Sequence, residues 1–512
     1  MFSRWEKILI LTTLVIGLSM DLLDMTIVNV AIPKLMHVFN ADVNKIQWVV
    51  TAYMMTIGII IPITAYLADT FGIKKIFIAS MIFFTAGSAL CGLAWSLNTL
   101  IIFRIIQGIG GGMIMPLGIS IVYKIFPEEK RGLAMGIIGL PLFVAPAVGP
   151  VLGGYIVEYT DWRLIFLINI PVGILAVLLS TIVLKEFEKY HLKLDLAGFI
   201  FSAVGLGGLL LALSNGPTEG WDTPYVVYLL VTSGFLLTIF ILWELNHPQP
   251  LLELRLFSNF AFCSSMLLTV FSIMAIMGSL FLIPVFLQNL KWYGPLKTGL
   301  LLLPEALPAA LIMPVSGLLV NKIRPVAFSV PAVALITYAT FALTKLELQS
   351  SDTNLIWLLI ILGAGLGLGM VPIMTVGLNA APSRLTGQAT SLLNIVRQVG
   401  SSFSIAILAT VIQTRQETHY ARVADSVNIL SPATGGFLNW SAGYLQSQGL
   451  AGEEANLATV SLLYLQARLE GAILAFHDAF GIAALFGALA LIPALAYWKI
   501  KVSNSKLQIH GL

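Results

Sequence analysis

Charge is what this chain has least of. Of its 512 residues only 10% are Asp, Glu, Lys or Arg, while 58% are hydrophobic, a balance far from that of water-soluble domains. The net charge is only +3, and no dense Lys/Arg tract with interleaved aromatics occurs, so nucleic acid is set aside as a partner. Cysteine is almost missing. Cys91 and Cys263 each lie inside an apolar run, which excludes a disulfide framework and a metal knuckle. No G-x-x-x-x-G-K-[ST] loop is present, so direct use of ATP is unsupported. The glycines of "GAGLGLGM" (363–370) lie in mid-helix without a preceding strand, where they suit helix packing better than a nucleotide loop. No nucleophile constellation, metal set or sensor module stands out, so a membrane enzyme or receptor has little to rest on.

Long apolar runs are what the chain has in excess, with a mean hydropathy of +0.92. A bilayer core needs about 20 apolar residues in a helix to cross it. Runs of that kind predict fourteen transmembrane helices, near 8–33, 47–68, 76–95, 98–124, 132–158, 163–184, 195–214, 224–244, 260–288, 297–320, 326–344, 354–380, 386–413 and 478–499. The fold class is therefore an all-α polytopic membrane protein. Arg4 and Lys7 ahead of the first run resemble a secretory signal, but no small-residue cleavage pattern follows, so it reads as the first span.

Lysine and arginine orient the helices. Placing both termini in the cytoplasm puts most of the short-loop Lys and Arg residues on that side, as the positive-inside rule requires of a multi-pass protein in the cell (inner or plasma) membrane. An internal repeat also emerges. Pro62, Ala65 and Asp69 near the end of the second helix recur as Pro314, Gly317 and Asn321 near the end of the tenth, at one offset of 252 residues. The expected organisation is a six-helix bundle (1–190), two inserted helices (191–250), helices nine to thirteen (251–413), a loop on the opposite side (414–476), and the last helix with its tail (477–512). Residues 457–476 carry helical spacing, and predict a hairpin or a helix lying on the membrane surface.

Against so little charge, five intramembrane ionisable side chains in particular ask for a reason, because each is costly in lipid. Asp21 and Asp24 share one face of the first helix. Arg104 on the fourth helix falls at a similar depth to Asp24, so a buried pair would satisfy both charges and leave Asp21 as the carboxylate in excess. Such a group can carry a proton, or can be held by Arg104 or a polar neighbour in a purely structural role; both readings are open. Glu305, between Pro304 and Pro308, marks an expected break in the tenth helix, with its side chain reaching a cavity or snorkelling outward. Arg397, beside Asn394 and Gln398, either answers Glu305 across that cavity or binds backbone carbonyls at a helix break.

Several motifs together resemble the major facilitator superfamily, specifically its fourteen-helix drug:proton antiporter branch of multidrug efflux type. They are "LDMTIVNVAIP" (23–33), "LADTFGIKK" (67–75), "FRIIQGIGGG" (103–112), "APAVGPVLGG" (145–154), "DWRLIFLINIPVG" (161–173) and "GQATSLLNIVRQVG" (387–400). Departures occur in the loop motif, where Ala65 replaces a usual Gly and Thr70 and Ile73 stand where Arg is common. The resemblance implies the major facilitator fold, two six-helix bundles plus two inserted helices. It implies a secondary transporter without a catalytic residue, metal or cofactor, driven by a proton gradient, that exports lipophilic, cationic drugs by alternating access. An exporter of a specific metabolite or siderophore, or an importer, is the alternative on the same fold. Asp21 and Glu305 stand where the branch usually has uncharged residues, so their roles rest on the residues themselves and not on the resemblance; on that footing proton or cation coupling is assigned to Asp21, Asp24, Arg104 and Glu305, and the cavity candidates are Gln107, Asn394 and Arg397. Gating and structural roles fall to Asp69, Gly72, Lys74, Gly149, Pro150, Gly153 and Gly154. The implied partners are small lipophilic substrates, protons and the lipid bilayer, with a periplasmic adaptor if the chain comes from a double-membrane bacterium.

Overall fold

The computed structural model describes residues 3–190, 192–320, 322–426, 432–450, 452–501 and 508–509. Among the described residues fourteen helices are long and apolar enough to cross a membrane: α1 (Arg4–Phe39), α2 (Lys45–Phe71), α3 (Ile73–Gly92), α4 (Leu97–Ile125), α5 (Glu128–Tyr159), α6 (Leu164–Val183), α7 (Leu196–Glu219), α8 (Pro224–Asn246), α9 (Phe260–Asn289), α10 (Pro295–Leu319), α11 (Val326–Lys345), α12 (Asp352–Ala380), α13 (Ser383–Asp425) and α14 (Gly452–Lys499). Helix is what this composition demands, since backbone groups in lipid must be satisfied within their own segment. Polar residues close the ends. Ser3 and Glu6 form a capping box on α1, Ser96 and Thr99 do the same on α4, and Asp195 accepts from the Gly198 amide at the start of α7.

Three helices depart from regularity, each for a local reason. In α5, Pro141 follows a break after Ile138; in α6, the helix restarts at Asn169 after Leu167; in α9, residues Gly278–Leu282 form a π-helical turn. In contrast, α10 runs unbroken through Pro304 and Pro308. The break expected at Glu305 is therefore not there, and the irregular turn belongs to the facing helix α9. Likewise α13 is continuous past Arg397, so no break frees carbonyls for that side chain.

Helices α1–α6 pack as one bundle and α9–α14 as another; α7 and α8 pair with each other, and α7 leans on both α2 and α13. The 252-residue offset carries α1–α4 onto α9–α12 to within about three residues at most of their ends, so the two halves are built to one plan. Repeat positions serve as the seam. A Cβ on Gly132 of α5 would lie 1.9 Å from the Gly317 carbonyl oxygen of α10, and Gly387 of α13 faces Ala65 of α2. Asn321, the repeat partner of Asp69, lies outside the described residues. The glycines of 363–370 pack helices, as their setting predicts: Gly363 lies on the Glu305 backbone and Gly367 on Ala309.

Segment 414–476 proves to be mostly helix. α13 continues through it to Asp425, a separate helix spans Pro432–Ser447, and α14 begins at Gly452, well before the expected start at 478. Apolar length locates a lipid crossing but says nothing of a helix that carries on into water. The two extensions form an antiparallel hairpin. His419 Nε2 lies 2.9 Å from Asp478 Oδ2, Arg468 lies 3.6 Å from Glu417, and the Tyr420 and Tyr464 rings meet edge to face at 5.5 Å. Gly471 admits the Tyr420 backbone between the two helices. At 1.5 Å per residue, the 45 residues of Gly452–Ala496 reach roughly 68 Å, about twice a hydrocarbon core, so 457–476 continues the span and does not lie flat.

Candidate functional site

The acids of α1 are held in two different ways. Asp24 and Arg104 are both fully buried and in direct contact. Around them the network is nearly complete. Asp24 Oδ1 accepts from Gln107 Nε2 and from Asn169 Nδ2, each at 2.9 Å; Arg104 Nη1 also donates to Gln107 Oε1 at 2.8 Å, and its Nε to the Val49 carbonyl at 3.1 Å. Ser88 accepts from both amides, at 3.2 and 3.0 Å, and its own hydroxyl donates to the Phe166 carbonyl. The restart of α6 presents Asn169 to this network. Arg104 Nη2 is the atom of this pair that lacks a partner among the described residues.

Asp21 lies one turn away and is only 7% exposed. Its Oδ1 accepts from the Tyr53 hydroxyl at 2.5 Å, and the ring of the same tyrosine lies 3.9 Å from the Arg104 guanidinium carbon. Arg104 does not pair with Asp21. The three formal charges thus divide into a neutralised pair and one carboxylate whose partner is a neutral phenol. Gly111 leaves room for this arrangement, since a Cβ there would lie 2.8 Å from Asp21 Oδ1.

Glu305 is buried in the other half, 3% exposed. Its Oε1 accepts from Ser279 Oγ at 3.2 Å, in the π-helical turn of α9, and its Oε2 has no partner among the described residues. Arg397 does not answer it. The guanidinium of Arg397 reaches the Met115 sulfur of α4 at 3.9 Å, so it sits where α13 meets the other half. Glu305 also does not snorkel outward, because its oxygens are enclosed. Of the cavity candidates, Gln107 is fully buried with both ends of its amide engaged in the Asp24 network. Asn394 donates to Thr390 of its own helix at 2.8 Å.

The motif glycines do separate jobs. Gly149 and Gly153 bring α5 onto Thr26 and Ile27 of α1, while Gly154 and Pro150 face Pro295 and Gly299 of α10. Gly72 adopts φ +106°, open chiefly to glycine, and the Glu186 carboxylate packs where a Cβ would go. Lys74 binds this same segment, its Nζ donating to the Thr181 carbonyl at 2.7 Å, and Asp69 Oδ1 lies 3.7 Å from Lys124 Nζ. At this end, which carries the start of α1 and the finish of α14, the halves are joined by Gly132 on Gly317, by Arg131 donating to Asn379 at 3.4 Å, and by Arg384 over the Tyr190 ring. These contacts hold the two halves together at that end.

Sequence reasoning missed Tyr53, Ser88, Asn169 and Ser279. Tyr53 left a trace, since the 252-residue offset places it opposite Glu305, and Asn169 stands inside the sixth-helix motif; Ser88 and Ser279 gave no signal among many helix serines.

Comparison with known proteins agrees with this architecture. The family model described as Major Facilitator Superfamily matches residues 14–405. The chain is 33% identical over 488 residues to the MFS-type transporter YhcA of Bacillus subtilis, covering 95% of this chain and 92% of that one. It is 32% identical over 499 residues to the multidrug export protein EmrB of Haemophilus influenzae, covering 96% of each. The solved structure of the proton:xylose symporter XylE shares the fold, with a TM-score of 0.61 at 12% identity over 99% of this chain and 98% of its own.

Proposed function

Because the chain belongs to the Major Facilitator Superfamily, and so is a membrane transporter and not an enzyme, we propose that it is a proton-coupled antiporter exporting lipophilic cationic drugs by alternating access. The observation that carries this reading is the division of charge in the first half. Arg104 neutralises Asp24, so Asp21 remains as a buried carboxylate with one neutral hydrogen-bond donor. A carboxylate held by a single neutral donor within the membrane can take either a proton or a cationic partner, which is what exchange of one for the other requires. Tyr53 couples the two parts, holding Asp21 by its hydroxyl and covering Arg104 with its ring. A cationic substrate near Asp21 favours the ionised acid, and a proton removes the charge that attracts the substrate, so loading of one expels the other. The similarity to a multidrug export protein supports the export direction and the substrate class.

In the proposed orientation, with both termini in the cytoplasm, these cross-seam contacts lie at the cytoplasmic end. Gly132, Gly317, Arg131 and Asn379 then form the inner gate, and Gly149, Pro150, Gly153 and Gly154 allow α5 to move between α1 and α10. Glu305 provides a second acid site within the other bundle.

The test is uptake of a fluorescent lipophilic cation by proteoliposomes under an imposed pH gradient. Asp24→Asn abolishes gradient-driven transport, because it strands the buried Arg104 charge and opens the network. Asp21→Asn leaves a folded protein whose transport no longer follows the pH dependence of the wild type. Wild-type rates and pH profile in both variants would refute the proposed roles.

A further inference from the structure

The second bundle holds a site of opposite sign to the acid site of the first. The 252-residue offset that superimposes α1 on α9 carries Asp21 and Asp24 onto Ile273 and Ile276. Both isoleucines line a cleft between α9, α11, α12 and α13 whose walls are apolar apart from three side chains, Thr269, Ser272 and Arg397. The acids have been replaced by hydrocarbon, and a cation has been added, since the position that matches Arg397 in the first half is Ala145.

We propose that this cleft binds a monoanionic amphiphile, its anionic head on Arg397 and Ser272 and its hydrocarbon chain along Ile273, Ile276 and Met370. Arg104 shows by contrast why Arg397 is free to do this. Arg104 spends its charge on Asp24 and its donors on Gln107 and Val49, whereas Arg397 has only the Met115 sulfur and forms no ion pair among the described residues. A guanidinium presents a planar fork of donors suited to a carboxylate or phosphate. Ser272 supplies independent support. It is 8% exposed, its hydroxyl has no partner among the described residues, and it lines the same cleft. A buried hydroxyl without a partner costs stability that a bound acceptor restores.

The dimensions select the body of the ligand. The cleft has a volume of about 40 Å³, narrow enough that a ligand enters only as its lining side chains turn aside. A single methylene chain fits such a slot better than a fused ring system, and the unbranched thioethers of Met370 and Met374 can turn to admit it. Because Arg397 touches α4 of the other bundle, an anion drawn to its guanidinium competes with that contact across the seam.

The site is tested by equilibrium binding to the full-length protein in phosphatidylcholine nanodiscs at constant pH. The probes are octanoate, octyltrimethylammonium and 1-octanol, which share a chain and differ in charge. Octanoate binds best, and Arg397→Gln weakens it by about 10- to 100-fold, the range of a lost charge-assisted pair, while 1-octanol changes less than threefold. Ser272→Val weakens octanoate by several fold, and Ile336→Trp, which fills the cleft, weakens octanoate and octanol together. Octanoate affinity unchanged in Arg397→Gln, or octanol weakened as much as octanoate, overturns the proposal. Should Arg397→Gln fail to fold, unchanged octanoate affinity in Ser272→Val and Ile336→Trp overturns it instead. Repetition in discs containing phosphatidylglycerol identifies the source of the head: competition lost in Arg397→Gln assigns it to a bilayer lipid, and absence of competition to a free amphiphile. Binding here needs no pH gradient and no drug, so its failure leaves the proton antiport reading standing, and the reverse also holds.

Discussion

Neutralising Asp24 and Arg104 separately and together gives the sharpest test of the buried network. In Asp24→Asn the side-chain oxygen can still accept from Gln107 and Asn169, but an NH2 group then faces Arg104 Nη1, and a guanidinium of 0% exposure is left without its countercharge. Removing one member of a buried pair costs about 3 to 5 kcal/mol. Arg104→Gln strands the carboxylate instead, but that carboxylate keeps two amide donors, so its cost falls near the lower end of the same range. The double variant Asp24→Asn/Arg104→Gln contains no buried charge at this point, and its loss should be smaller than the sum of the singles, with a coupling of at least about 2 kcal/mol. Unfolding of the purified protein in mixed micelles of increasing SDS fraction, followed by tryptophan fluorescence, reads the three values. Single variants as stable as the wild type, or a double variant that loses the full sum, would show that the two side chains do not form the buried pair described above.

Three further perturbations probe other parts of the structure. Glu305→Gln keeps the hydrogen bond to Ser279 and removes only the charge, so export of cationic drugs should fall several-fold more than that of neutral ones; equal loss for both removes any charge-recognition role for this acid. Gly132→Val places side-chain atoms against the Gly317 carbonyl and should hold the seam apart, lowering transport more than tenfold, while Gly435→Val, with nothing within 4 Å, leaves it unchanged; the proteoliposome rate decides. Gly72→Ala forces a φ of +106° on a residue with a side chain and displaces Glu186, costing about 1 to 2 kcal/mol in the SDS titration; a neutral result argues against the strained turn.

The acids show where sequence reasoning stops. Depth along a helix follows from residue number and rise, and it brought Asp24 and Arg104 to one level. Which way a side chain points at that level depends on how each helix is rotated. The rotation is set by contacts such as Gly149 on Thr26, Gly87 against the Gln107 backbone and Gly110 against Phe84, each of which needs both helices to be in place. For that reason Tyr53 as the partner of Asp21, Ser279 as the partner of Glu305 and Met115 as the neighbour of Arg397 were not legible in advance. The extension of α13 and α14 was hidden for a different reason: outside lipid a helix needs no apolar run, and its polar face is paired by His419, Asp478, Arg468 and Glu417.

The sequence by itself determined that this protein crosses a membrane fourteen times and is built as a repeated bundle, because a bilayer imposes one length and one polarity on every crossing segment and leaves helix as its backbone solution. Tertiary structure alone decided the electrical character of each site. It neutralised Asp24 and left Asp21 with a phenol, enclosed Glu305 with no ion pair among the described residues, and set Arg397 in an apolar cleft. The cost of a charge in a medium of low dielectric depends on what lies within a few ångströms of it, and only the packed bundle fixes those neighbours.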